Sequence, residues 1–445
     1  MTTPIHPQII LSPIRPAASA AGGTLEVLVR VQAPARPAEL GAPARPPLRL
    51  ALAIDRSGSM SGEPLQEALR CAEYIAGGLG KQDQLAVILY DNAVRVALPL
   101  SAAGDPARVR AALAGVESAG STALFDGWEA AARALEGGVA DAISRVLLLS
   151  DGQANQGLCH PAEIQGHCAN WASRGVSTTT VGLGPSFNEE LMIGMARAGG
   201  GQHYYGQRAE DLHDSFDEEL ALLQSLFLRR LLLKLVPAPG VLIEPLGVVQ
   251  PGAEQGTWCL PDLAWDAEAW MMVRLHLSPK AEADPRTAEA LFAVTVEGVP
   301  DGSATIQVHG MLTLPRVPES DLQGMPADPA VMQRLQEVEF ATATARIHAL
   351  LSAGDVAQAG KLLKKIEAQV ADHPWLREKL AALRELMQQD VALSAKEARY
   401  SSMRMARRLA PVGEVAYQAC EMDDGSIPSY LRRKSVEGEG RKRKP

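Results

Sequence analysis

The chain has 445 residues, 47% hydrophobic and 21% charged, with a formal net charge of −9. That length exceeds one ordinary hydrophobic core and predicts two or three domains, while the composition excludes an intrinsically disordered chain. An acidic body argues against a nucleic-acid-binding core, and five cysteines with no framework spacing argue against a disulfide-stapled secreted domain.

Residues 1–16 have no basic stretch leading into an apolar run, so no signal peptide is read there, and 1–22 are taken as an N-terminal extension. Residues 24–31 partly alternate apolar and polar side chains, and a Pro/Ala-rich connector covers 33–47. The apolar run at 48–54 predicts a strand buried on both faces. From there strands and helices alternate. Strands are expected at 84–90, 94–100, 145–149, 176–183 and 202–206, and helices at 65–79, 106–113, 125–135, 161–173, 189–198 and 212–226. Repeated β–α alternation predicts a doubly wound, mostly parallel α/β sheet over 47–228.

Beyond residue 229 the pattern changes. Segments 231–236, 241–249, 271–277, 291–296 and 304–314 are strand-like with Pro/Gly turns between them, predicting an antiparallel β-sandwich over 229–316. Helical apolar spacing at 332–351, 356–370 and 374–387 predicts a C-terminal α-helical module over 328–393. Its first two helices resemble a tetratricopeptide-type pair, which cannot bury its face alone and should dock on the body or on a partner. Residues 394–445 read as a flexible basic tail, with seven basic and two acidic residues among the last fourteen. The most apolar run, 220–236, is interrupted by Gln224, Arg229, Arg230 and Lys234 and is too charged to span a bilayer. A soluble cytoplasmic protein without membrane or nucleic-acid partners is expected.

Directly after the first buried strand comes Asp55-Arg56-Ser57-Gly58-Ser59, at the carboxyl end where open parallel sheets carry their functional loops. A second loop holds Gly120-Ser121-Thr122 before a helix, and a third holds Asp151-Gly152 after the strand at 145–149. Asp55, Ser57, Ser59, Thr122 and Asp151 offer only hard oxygen atoms, a set that selects Mg²⁺, Mn²⁺ or Ca²⁺ over soft metals. D-x-S-x-S, a Thr in a second loop and S-D-G in a third together resemble the metal-ion-dependent adhesion site of von Willebrand factor A-type (VWA) domains. The segments DGQANQG, TVGLGPSFNEEL and GGGQHYY look like the bacterial branch of that family.

The resemblance implies that Ser57 and Ser59 ligate the metal directly, that Thr122 does so directly or through water, and that Asp55 and Asp151 act mainly through water and hydrogen bonds. The flanking strands are similar to the β-domain around the A domain of inter-α-trypsin-inhibitor-like proteins. In that arrangement the strand within 23–46 would join the later sandwich, making the A domain an insertion. Neutral hydroxyls leave a bound Mg²⁺ under-neutralised, so its open position should attract an Asp, Glu or C-terminal carboxylate from a partner protein. The expected function is therefore a non-enzymatic binding scaffold; the resemblance to bacterial relatives, which often act with ATPases, kinases, phosphatases or chaperones, implies a partner of that kind.

Two rivals follow from other classes. A Mg²⁺-dependent phosphohydrolase of the haloacid-dehalogenase type needs D-x-D after the first strand, where this chain has Ser57. A structural subunit would assemble into homo-oligomeric rings or filaments through the sandwich. Cys159-His160 and His167-Cys168 lack zinc spacing, and adjacent residues on a helix point about 100° apart. Gly199-Gly200-Gly201 ends a helix rather than opening one, which is the wrong order for a phosphate loop.

Overall fold

The computed structural model describes residues 6–36, 46–103, 105–137, 142–151, 153–183, 187–206, 216–217, 219–223, 225–280, 286–300, 305–369, 374–389, 395, 398–399, 402 and 410–411. The basic segment at the C-terminus and Gly152 lie outside them. The chain forms two compact units, one over Gly41–Ser225 and the other from Met1–Leu40 together with Leu226–Pro445.

Three strands open the chain: β1 (Gln8–Pro13), β2 (Ala18–Ser19) and β3 (Gly23–Gln32). The uninterrupted unit follows with β4 (Leu48–Asp55), β5 (Gln84–Tyr90), β6 (Val94–Ala102), β7 (Ile143–Ser150), β8 (Val176–Leu183) and β9 (Gly200–Gly206). Their order is β6-β5-β4-β7-β8-β9, parallel throughout except for the antiparallel β5–β6 pair. The helices between them are α1 (Glu63–Gly77), α2 (Pro106–Leu113), α3 (Leu124–Ala134), α4 (Pro161–Ser173) and α5 (Glu189–Ala198). This is a VWA-like α/β fold.

Every residue of β4 and β7 is buried, as two-sided coverage of a central parallel strand requires. Two of those buried residues are arginines with specific partners. Arg49 donates to the Leu135 carbonyl at 2.9 Å. Arg145 pairs with buried Glu219, which also accepts from Thr179 (2.9 Å) and the Tyr204 hydroxyl (2.8 Å). That network ties helical residues 216–217 and 219–223 to β7, β8 and β9. On one face, Phe125, Trp128, Ile164, Cys168, Leu191 and Met192 from α3, α4 and α5 pack with Ala51, Ile88 and Leu148. Helix α3 comes so near β5 that a Cβ at Gly127 would lie 2.2 Å from Tyr90 Cγ, so only glycine fits.

The split unit continues with β10 (Leu226–Pro237), β11 (Val241–Leu246), β12 (Gln250–Pro251), β13 (Thr257–Cys259), β14 (Leu263–Ala264), β15 (Ala267–Leu277), β16 (Ala288–Pro300), β17 (Ile306–Val317) and β18 (Ala410–Pro411). One sheet runs β1-β3-β15-β11, with β18 also on β15; the other runs β12-β13-β10-β16-β17-β2, with β14 also on β10. All pairs are antiparallel except β2–β17.

Helices α6 (Glu319–Gln323), α7 (Pro329–Ser352), α8 (Val356–Gln369) and α9 (Pro374–Gln389) complete the unit. Asp328 caps α7 by accepting from the Ala330 and Val331 amides at 2.8 and 3.2 Å. Beyond Phe340, α7 shares a core with α8 and α9 through Ile347, Leu351, Leu363, Leu376 and Leu380. Its first turns pack Val331, Leu335 and Val338 on Leu28, Trp270 and Met272 of the β1-β3-β15-β11 sheet. At that seam buried Arg334 reaches Glu337 at 2.7 Å, Glu268 at 3.7 Å and lies 4.7 Å from the Trp270 ring. No helix among the described residues is long and apolar enough to cross a membrane.

Three expectations are corrected. Residues 1–22 are not merely an extension, since β1 and β2 pair into the two sheets. The strand at 24–31, whose partly alternating pattern suited a sandwich edge, is instead flanked by β1 and β15 on both sides, an interior position that its buried Leu25, Val27, Val29 and Val31 suit. The helix expected at 212–226 gives way to β10 at Leu226. A leucine-rich run does not by itself separate a buried helix from a buried strand, and pairing with β14 and β16 decides it.

Candidate metal centre

Three loops at the carboxyl end of the parallel sheet carry the five oxygen-bearing residues. Asp55 ends β4 and is fully buried. Its Oδ1 accepts from the Ser57 amide at 2.9 Å and its Oδ2 from the Ser150 hydroxyl at 2.6 Å. The Ser57 and Ser59 hydroxyls lie 3.2 Å apart. Ser57 is buried and Ser59 exposed, so the pair leads from the interior to the surface. Thr122, 1% exposed, precedes α3, and Asp151, 7% exposed, follows β7.

Short contacts stitch the loops together. Gly58 donates to the Gly120 carbonyl at 3.1 Å, Ala119 to the Arg56 carbonyl at 2.8 Å and Ala123 to the Asp91 carbonyl at 2.7 Å. Gly120 has φ +71°, and a Cβ there would meet Asn92 Oδ1 at 2.4 Å, so both conformation and space select glycine. The Arg56 guanidinium sits 2.6 Å from Asp91, which is itself 3% exposed. The third loop reaches back to the second, for the Asn155 and Gln156 amides donate to the Thr122 carbonyl at 3.2 and 3.3 Å.

The electrostatics fit a cation. Burial pushes the Asp55 carboxyl up to about 6; its bonds to Ser150 and Ser57 oppose that shift and the nearby Asp151 charge adds to it. Among the described residues no ion pair reaches Asp55 or Asp151, because the neighbouring Arg56 is engaged with Asp91. Two buried carboxylates close together therefore leave negative charge that a divalent cation would neutralise. Among the described residues no three His, Cys, Asp or Glu side chains cluster, so a metal here must draw on hydroxyl oxygens as well. Ser57, Ser59 and Thr122 supply them, and hard oxygens suit Mg²⁺.

The sequence reading missed Ser150, Asn155 and Gln156. The segment DGQANQG carries a family similarity, yet nothing in it alone tells which side chains face Thr122. The other polar groupings are dispersed. Cys168 is buried in the core, its thiol pushed up by burial, while the His167 ring lies tilted against Phe125 with ring centroids 4.8 Å apart. Gly199 caps α5 by donating to the Met195 carbonyl, and His203 bonds Thr180 at 2.8 Å within the sheet.

Fold and loops together define a VWA domain. The model of the von Willebrand factor type A domain family matches residues 50–218, and this chain contains a domain of that family. Curated relatives include YfbK of Escherichia coli, 33% identical over 163 residues, which are 36% of this chain and 28% of that protein. The protein sll0103 of Synechocystis is 26% identical over 245 residues, covering 52% of this chain and 58% of that one. Human inter-alpha-trypsin inhibitor heavy chain H4 is 25% identical over 185 residues, 40% of this chain and 19% of that protein. The chain thus spans less than two thirds of the length of each. Among solved structures, a von Willebrand factor type A protein from Catenulispora acidiphila superposes with a TM-score of 0.68 at 17% identity, covering 92% of this chain and 98% of that chain. The ArnB paralog VWA2 from Sulfolobus acidocaldarius gives 0.60 at 17%, covering 90% and 99%. These two similarities show the fold, and their coverage extends well beyond the family-matched segment.

Proposed function

We propose that the protein is a metal-dependent binding scaffold, in which a divalent cation at Ser57, Ser59 and Thr122 captures an acidic group of a partner protein. The observation that carries this reading is that three loops at one end of the sheet carry Asp55, Ser57, Thr122 and Asp151, all buried, with the Ser57 hydroxyl against that of exposed Ser59. When bound, the cation supplies an electrophilic position for a carboxylate oxygen. The chain's own residues supply the rest: Asp55 orients Ser57 through its amide, and Ser150 holds Asp55. Neutral hydroxyls around the cation favour an Asp, Glu or C-terminal carboxylate, because Coulomb attraction is strong in a partly dehydrated cleft.

The geometry favours binding over hydrolysis. Asp55, which a phosphohydrolase reading would need as nucleophile, is fully buried with both oxygens engaged. Calorimetry with Mg²⁺ or Mn²⁺ should find one site in the wild type and at least tenfold weaker binding in Ser57→Ala. Partner capture should require the metal, vanish in EDTA and return with Mg²⁺. Equal metal affinity in the two proteins, or steady turnover of phosphate esters abolished by Asp55→Asn, would overturn the proposal.

A further inference from the structure

We infer that Asn155 is a positioning residue of the metal centre, holding Thr122 in place through its side-chain oxygen; this rests on the proposed metal site. Thr122 is buried, and both of its backbone polar groups are held by one short segment. Its amide donates to Asn155 Oδ1 at 2.8 Å, and its carbonyl accepts from the Asn155 and Gln156 amides at 3.2 and 3.3 Å. None of these bonds uses the Thr122 hydroxyl, which stays available to a cation. The neighbouring Ser121 hydroxyl donates to Gln156 Oε1, and Gln156 Nε2 donates to the Asn92 carbonyl at 3.3 Å. The segment four residues past Asp151 therefore couples the third loop to the second.

Asn155 itself is exposed. Its side chain fills no core, so its bond to Thr122 is separable from packing. A backbone amide fixed by a side chain sets the direction in which the attached Thr side chain leaves the chain, and a metal tolerates little error in ligand direction. Asp can replace Asn as acceptor at the same reach, whereas Ala cannot.

The full chain is titrated with Mn²⁺ as wild type, Ser57→Ala, Asn155→Ala and Asn155→Asp, and each protein is melted in EDTA. Asn155→Ala should bind Mn²⁺ about 10- to 100-fold more weakly, the range usual for outer-sphere partners, with its EDTA melting temperature nearly unchanged. Asn155→Asp should stay near wild type, and hydrogen exchange at the Thr122 amide should quicken in the Ala variant alone. Should Asn155→Ala lose its fold, Asn155→Ser, whose hydroxyl is too short to reach, replaces it. Affinity in Asn155→Ala within threefold of wild type, while Ser57→Ala has lost binding, overturns this inference and leaves the metal site standing. Equal weakening in the Ala and Asp variants overturns it too, since Asp keeps the accepting oxygen. Absence of Mn²⁺ binding in the wild type overturns the site and the inference together.

Discussion

Asp55 shows how burial sets the energetics of one residue. Its carboxyl titrates near 6 in the fold against an ordinary value of 3.8, raised chiefly by burial. A raised carboxyl favours the folded state when protonated. Its stabilising contribution is full below the ordinary value and is lost as pH rises through about 6, on the order of 3 kcal/mol by neutrality. In EDTA the wild type should therefore lose more thermal stability between pH 5 and 7.5 than Asp55→Asn does. At pH 7.5 the Asn variant should melt higher without metal, yet gain nothing from added Mg²⁺. Parallel pH profiles for the two proteins would show that Asp55 is not the titrating group. Gly127 makes a steric counterpart: Gly127→Ala should lower stability by about 2 kcal/mol, seen in denaturant melts, because α3 must move off Tyr90.

Among the elements, α7 joins the helical module to the sandwich. A tetratricopeptide-like pair was expected to need a surface to dock on, and that surface is the β1-β3-β15-β11 sheet, covered by the first turns of α7. Arg334 stands at the seam with its guanidinium against Glu337, Glu268 and Trp270, fully out of solvent. Removing one member of a buried ionic group leaves desolvated charge behind, so Arg334→Ala should cost about 3 kcal/mol or more. Denaturant melts should record that loss as an earlier transition, and limited proteolysis should cut α7 and α8 sooner. A variant as stable as wild type would mean that apolar contacts alone hold the helices.

At the scale of the molecule, the chain builds one unit from its two ends. β3 is hydrogen-bonded along one edge to β1 and along the other to β15, so the sandwich cannot close without residues 8–32. A fragment of residues 41–225 should melt cooperatively by itself. Residues 226–411 should be poorly soluble until a peptide of residues 6–36 is supplied. Independent folding of the 226–411 fragment, read by a cooperative melt, would show that β3 is dispensable.

Local patterning was enough to reveal the doubly wound sheet, because 48–54 and 145–149 are apolar on both faces apart from Arg49 and Arg145, and the intervening helices keep a 3.6-residue period. The D-x-S-x-S loop with Thr122 and Asp151 was legible because hydroxyl and carboxylate residues recurred at strand ends. Tertiary structure decided what depends on pairing between distant segments. Leu226 belongs to a strand because it pairs with Ala264 of β14, while β16 takes up the pairing from Leu228, and Gln8–Pro13 is a strand because β3 lies beside it. The partners of the candidate site's residues were hidden for the same reason. Asn155 lies 33 residues from Thr122 and Ser150 lies 95 from Asp55, and only the folded arrangement of the strands and the loops beyond them brings each pair within bonding distance.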